Sequence, residues 1–144
     1  LPAHFNLCLV YDLIEDQAKL TMAEVRALPY FESHVRKNPD DEQQRINYAA
    51  ILNFAGRTEE SLRIVHSLLE SPHADAVTIY NCASLMALNE ENDKVLDALE
   101  RSVKLGYANL DNFKTWHDEW QQMPRFQKLL KELQEKNQQN AIDD

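Results

Sequence analysis

The chain has 144 residues, 44% of them hydrophobic, with 15 basic against 24 acidic side chains and a formal net charge of -9 at pH 7. That length and apolar content fit one domain with a buried core and argue against disorder. The acidic balance argues against nucleic acid, whose phosphates need a basic face, and against an anionic membrane surface.

Two glycines and five prolines are too few for strands joined by tight turns, so helices are expected throughout. Residues 3–19 carry Phe5, Leu7, Leu9, Val10, Leu13 and Ile14 at helical rather than alternating spacing. Thr21, with Glu24 three residues on, reads as a capping box that starts a second helix. That helix carries Val25, Leu28, Phe31 and Val35 and stops at Asn38-Pro39; Pro29 inside it predicts a kink or a restart at Leu28–Pro29. A third helix is expected over 41–55, with Ile46, Ala49, Ala50 and Phe54 apolar and Gly56 closing it. Thr58, with Ser61 three residues on, opens a fourth through about Leu69, and Ser71-Pro72 ends it. A fifth helix is expected at about 74–88 and a sixth at about 92–105, ended by Gly106. Asn109 or Asp111 then caps a short helix holding Leu110, Phe113, Trp116 and Trp120. Pro124 starts a last helix with Phe126, Leu129, Leu130 and Leu133, and the polar tail from Lys136 is expected to fray.

No apolar run approaches the roughly 20 residues of a membrane span. The opening Leu1-Pro2-Ala3-His4 is neither an initiator methionine nor a signal sequence, so a domain cut from a longer protein is expected. Cys8 and Cys82 lie far apart, each among apolar residues. They read as small buried hydrophobes in a reducing, cytoplasmic setting rather than as a disulfide.

Helices three to six are two copies of one unit. An offset of 34 residues carries 42–75 onto 76–109, with Asn47 on Asn81, Ala49 on Ala83, Leu62 on Leu96, Val65 on Leu99 and Leu69 on Val103. Shifted the other way, Ser61 falls on Ala27, Leu62 on Leu28, Val65 on Phe31 and Leu69 on Val35. A helix–turn–helix unit of this length points to stacked repeats. Ala49 and Ala83 sit where the two helices of a unit must approach closely.

With the stretch Tyr80-Asn81-Cys82-Ala83 through Leu96-Asp97-Ala98-Leu99-Glu100-Arg101-Ser102-Val103, the sequence resembles tetratricopeptide repeats. Glu90 stands where that family usually has a turn glycine, Val95 where it has a small alanine, and Glu15 departs similarly in the first repeat. The resemblance implies an all-α fold of antiparallel helix pairs stacked as a right-handed superhelix. It divides the chain into repeats at about 8–41, 42–75 and 76–109, a cap at 110–136 and a tail at 137–144. The end segment, from Leu105-Gly106-Tyr107 through Trp116-His117 to Met123-Pro124-Arg125-Phe126, resembles the close of many bacterial repeat proteins. Such ends occur in chains whose front half is a cyclase, a kinase or a DNA-binding regulator. Here Trp116, Trp120, Phe126 and Leu130 are expected to cover the last helix pair.

Catalytic chemistry finds little support. His4, His34, His66, His73 and His117 include no pair at the i, i+4 spacing of a helix-borne metal site, so no metal is expected. With only Gly56 and Gly106 there is no phosphate loop and no nucleophile elbow, and no cofactor is expected. Cys82 with His117 is the one imaginable nucleophile–base pair, but Cys82 is expected on a buried face. The pairs Glu15-Asp16, Asp40-Asp41-Glu42, Glu59-Glu60 and Glu90-Glu91 read as solvated carboxylates near helix starts. The chain is therefore not expected to be an enzyme.

A groove remains. The resemblance implies that the first helix of each pair lines a concave face and that the Asn47 and Asn81 slots contact a bound peptide backbone. An amide supplies both donor and acceptor for that purpose. The expected groove residues are Asn47, Ala50, Asn53, Phe54, Tyr80, Asn81 and Ser84. Asp12 and Asp16 stand where one family branch has lysines that clamp a carboxylate terminus, so a basic or neutral protein or peptide segment is the expected partner. Two readings follow: a binding scaffold within a larger signalling or regulatory protein, or a dimerisation or regulatory arm whose groove is filled by its own chain or a twin.

Overall fold

A computed structural model describes residues 17–89 and 92–143. The expected first helix up to residue 16, with Cys8, Asp12, Glu15 and Asp16, and the turn at Glu90 lie outside the described residues. Every regular element among the described residues is a helix: α1 (Gln17–Lys37), α2 (Glu42–Phe54), α3 (Thr58–Glu70), α4 (Ala76–Ala87), α5 (Asn92–Lys104), α6 (Leu110–Lys114), α7 (Asp118–Gln121) and α8 (Pro124–Asp143). The fold is all-α, with α1 against α2, α2 against α3 and α4 against α5. No helix among the described residues is long and apolar enough to cross a membrane. The chain divides into two compact units, Leu1–Ala74 and Asp75–Asp144.

In the N-terminal unit α1 runs unbroken through Thr21 and Pro29. The capping box expected at Thr21 is therefore not used. Gln17 to Leu20 are good helix formers with no breaker among them, so nothing local stops the helix before Thr21. At its other end the backbone and side-chain amides of Asn38 both donate to the His34 carbonyl, at 2.9 and 3.0 Å. Asp41 Oδ1 then accepts from the Gln44 amide at 3.1 Å and starts α2. Ala23, Ala27 and Phe31 of α1 and Tyr48, Ile51 and Leu52 of α2 form the core, flanked by Leu28, Val35, Ala50, Phe54 and Ile64.

Gly56, at φ +76°, turns the chain into α3, and the Arg57 amide reaches back to the Leu52 carbonyl at 2.8 Å. Thr58 is the first helical residue, as expected, but no side chain caps α3. Arg57 instead forks onto Glu60, with both N–H···O distances at 2.6 Å. The close-approach slot is explained by one bond: Ser61 Oγ donates to the Ala49 carbonyl at 2.7 Å. A larger side chain at either position would separate the two helices.

The C-terminal unit repeats the helix pair. Asp75 caps α4 by accepting from the Thr78 amide at 2.7 Å. Gly106, at φ +104°, ends α5, and the Tyr107 amide reaches the Ser102 carbonyl at 2.9 Å. Asn109 caps α6. The short helix expected to hold both tryptophans is two helices, because the chain leaves helical geometry at His117 (φ −55°, ψ 153°) before α7 begins. Phe126, Leu129 and Leu133 form the buried stripe of α8. Arg125 ties α8 to α5 through Asp97 Oδ1 at 2.6 Å and Glu100 Oε1 at 3.0 Å. The tail expected to fray from Lys136 is helical to Asp143, and Asn137 Nδ2 donates to the Ala108 carbonyl at 3.3 Å.

Burial repeats with the 34-residue offset. Ala27, Ser61 and Val95 are each fully buried, and so are Phe31, Val65 and Leu99. Ala49 and Ala83 are fully buried as well. The valine at the usual alanine slot is thus accommodated inside the protein rather than turned outward.

Candidate partner-binding faces

The expected groove residues divide between α2 in the N-terminal unit and α4 in the C-terminal unit, and each face stands on its own. On α2, Ala50, Asn53 and Phe54 are half-buried. Ala50 and Phe54 owe this to packing against the α1–α2 core. Asn47 is not on an open face: only 5% of it is exposed. Its Oδ1 accepts from Gln43 Nε2 at 3.3 Å, while Nδ2 has no hydrogen-bond partner among the described residues. Gln44 Oε1, also on α2, is buried without a partner too. An unpaired buried polar atom costs about 1–3 kcal/mol.

On α4, Asn81 and Ser84 are half-buried, and Ser84 Oγ donates to the Tyr80 carbonyl at 3.1 Å. Tyr80 is enclosed. Its ring stacks on Tyr107 with centroids 4.1 Å apart and planes 7° from parallel, lies tilted against Phe113 and meets Trp116 edge-on. The hydroxyl accepts from Trp116 Nε1 at 2.9 Å and donates to the Asn112 carbonyl at 3.3 Å. Burial pushes its phenol above the ordinary tyrosine value, opposed by the indole bond. Tyr80 is therefore part of the cap and not of an open groove. At the 34-residue offset Tyr80 occupies the slot of Ile46, and both are buried.

Phe113, Trp116, Trp120 and Phe126 complete the cap, with neighbouring ring centroids between 5.2 and 5.8 Å apart. Leu130, expected among the covering residues, is half-buried. Asn112 Nδ2 donates to the Tyr107 hydroxyl at 2.5 Å, so both tyrosine hydroxyls are satisfied within the cluster.

A second feature was not anticipated. Asp40, Asp41, Glu42, Arg45, Ser71 and His73 line an open concavity of about 650 Å³ between the α1–α2 turn and the end of α3. The sequence reads Asp40-Asp41-Glu42 as solvated carboxylates near a helix start and does not single out Arg45. Hairpin geometry brings the start of α2 beside the end of α3, which adjacency in sequence does not reveal. Most of these polar groups are engaged by one another or by their neighbours in the unit. Ser71 Oγ donates to Glu42 Oε1, the His73 amide donates to Ser71 Oγ at 3.2 Å, and Arg45 Nη2 donates to Ser67 Oγ at 2.5 Å. Asp41 Oδ2 meets His34 Nε2 at 3.1 Å. The Gln44 amide, and then His34, hold the Asp41 carboxyl below its ordinary value.

Among the described residues no group of three or more histidine, cysteine, aspartate or glutamate side chains is placed to hold a metal ion. Cys82 is fully buried and His117 is exposed. Comparison with protein-family models, with curated proteins and with solved structures finds no match.

Proposed function

We propose that this chain is a tetratricopeptide-like scaffold of about three repeats, stacked as a right-handed superhelix, that binds a protein or peptide segment. The observation that carries the reading is the periodic burial. Three successive slots, Ala27, Ser61 and Val95, and three more, Phe31, Val65 and Leu99, are equally enclosed at the 34-residue spacing. Units of this kind serve recognition because their first helices line an extended face. Asn53, Asn81 and Ser84 are half-buried polar groups on those helices and would meet the partner backbone. The net charge of -9 favours a basic or neutral segment. A cytoplasmic setting and a signalling or regulatory parent protein belong to the same proposal, as does the absence of catalysis in this chain.

The test is a pull-down with the whole chain as bait, followed by calorimetric titration of the captured protein against variants. Asn53→Ala with Asn81→Ala is expected to weaken binding at least tenfold, about 1.4 kcal/mol, with unchanged helical content. Equal affinity of variant and parent would remove the face from the proposal.

One observation favours the second reading. Tyr80, at a first-helix position, is already covered by Asn112 and Trp116 of its own chain. A regulatory arm with a self-filled face, dimerising through what remains open, would show a concentration-dependent mass in sedimentation equilibrium that Asn53→Ala with Asn81→Ala abolishes.

A further inference from the structure

We draw no further inference here: the strongest candidate, the acidic concavity between the α1–α2 turn and the end of α3, has Asp41, Glu42, Arg45 and Ser71 engaged in hydrogen bonds within its own unit, and nothing in the structure shows what would occupy it.

Discussion

The N-terminal and C-terminal units contain the same helix pair but cover it by different means. In the first, the 21 residues of α1 lie along α2 and fill the interface with Ala23, Ala27 and Phe31. In the second, the five residues of α6 and the four of α7 contribute Phe113 and Trp120, with Trp116 between them and Tyr107 and Phe126 beside them. A long helix can spread burial over many small side chains. Two single-turn helices cannot, so each residue has to bury more, and aromatic rings bury about 150–250 Å² apiece. A repeated unit thus constrains the slots it presents without dictating the chemistry that closes them.

The largest effects should come from the two cores. Phe113→Ala and Phe31→Ala each remove a fully buried ring and are each expected to cost about 3–5 kcal/mol. Both tryptophans, Trp116 and Trp120, lie in the C-terminal unit. In urea, Phe113→Ala should therefore lower the fluorescence midpoint most, and Phe31→Ala the far-ultraviolet ellipticity midpoint. Equal shifts of both signals for both variants would mean that the units unfold as one and would break the comparison.

Ala83→Leu comes next, at about 1–3 kcal/mol through overpacking of the close-approach slot. Ala49→Leu should match it, because both positions are fully buried. An unchanged melting temperature for either would contradict the repeat register.

Tyr80→Phe keeps the stack on Tyr107 but strands the Trp116 indole N–H, at an expected 1–2 kcal/mol or so. The loss should be seen by fluorescence, and a variant as stable as the parent would show that the indole finds water instead.

The smallest effect separates the units by pH. The Asp41 carboxyl is held below its ordinary 3.8 in the folded state, so its contribution is complete above that value and fades as pH falls through the folded one. Asp41→Ala should cost about 1 kcal/mol at neutral pH, and that cost should shrink as pH falls through the lowered carboxyl pKa of the folded parent. A cost that is independent of pH would exclude the charged cap and its His34 contact as the cause.

How much of this was legible depends on how local each signal is. Asp41, Gly56, Pro72, Gly106, Asn109 and Pro124 act on their immediate neighbours, and the helices they bound lie where the sequence put them. Thr21 and Glu24 misled because a capping pattern carries no information on whether the preceding residues stop being helical. Trp116 and Trp120 misled because their i, i+4 spacing also fits a chain that breaks at His117 and resumes. The candidate faces were only half readable. Asn53, Asn81 and Ser84 stay partly open. For Asn47 and Tyr80, periodicity names the side of the helix but not what lies across it. The concavity was invisible for a related reason: Glu42 and Ser71 meet across a folded hairpin, and no pattern within either helix records the meeting.

The hydroxyl of Tyr80 has a consequence for how the cap finds its place. Stacked rings adhere over a range of offsets, so an aromatic cluster alone leaves a slippery joint in which neighbouring registers differ little in energy. An oxygen that must give its proton to one carbonyl and take one from a single indole allows no such drift. Adhesion and address are thus carried by different atoms of the same side chain, and the second turns a greasy contact into a keyed one.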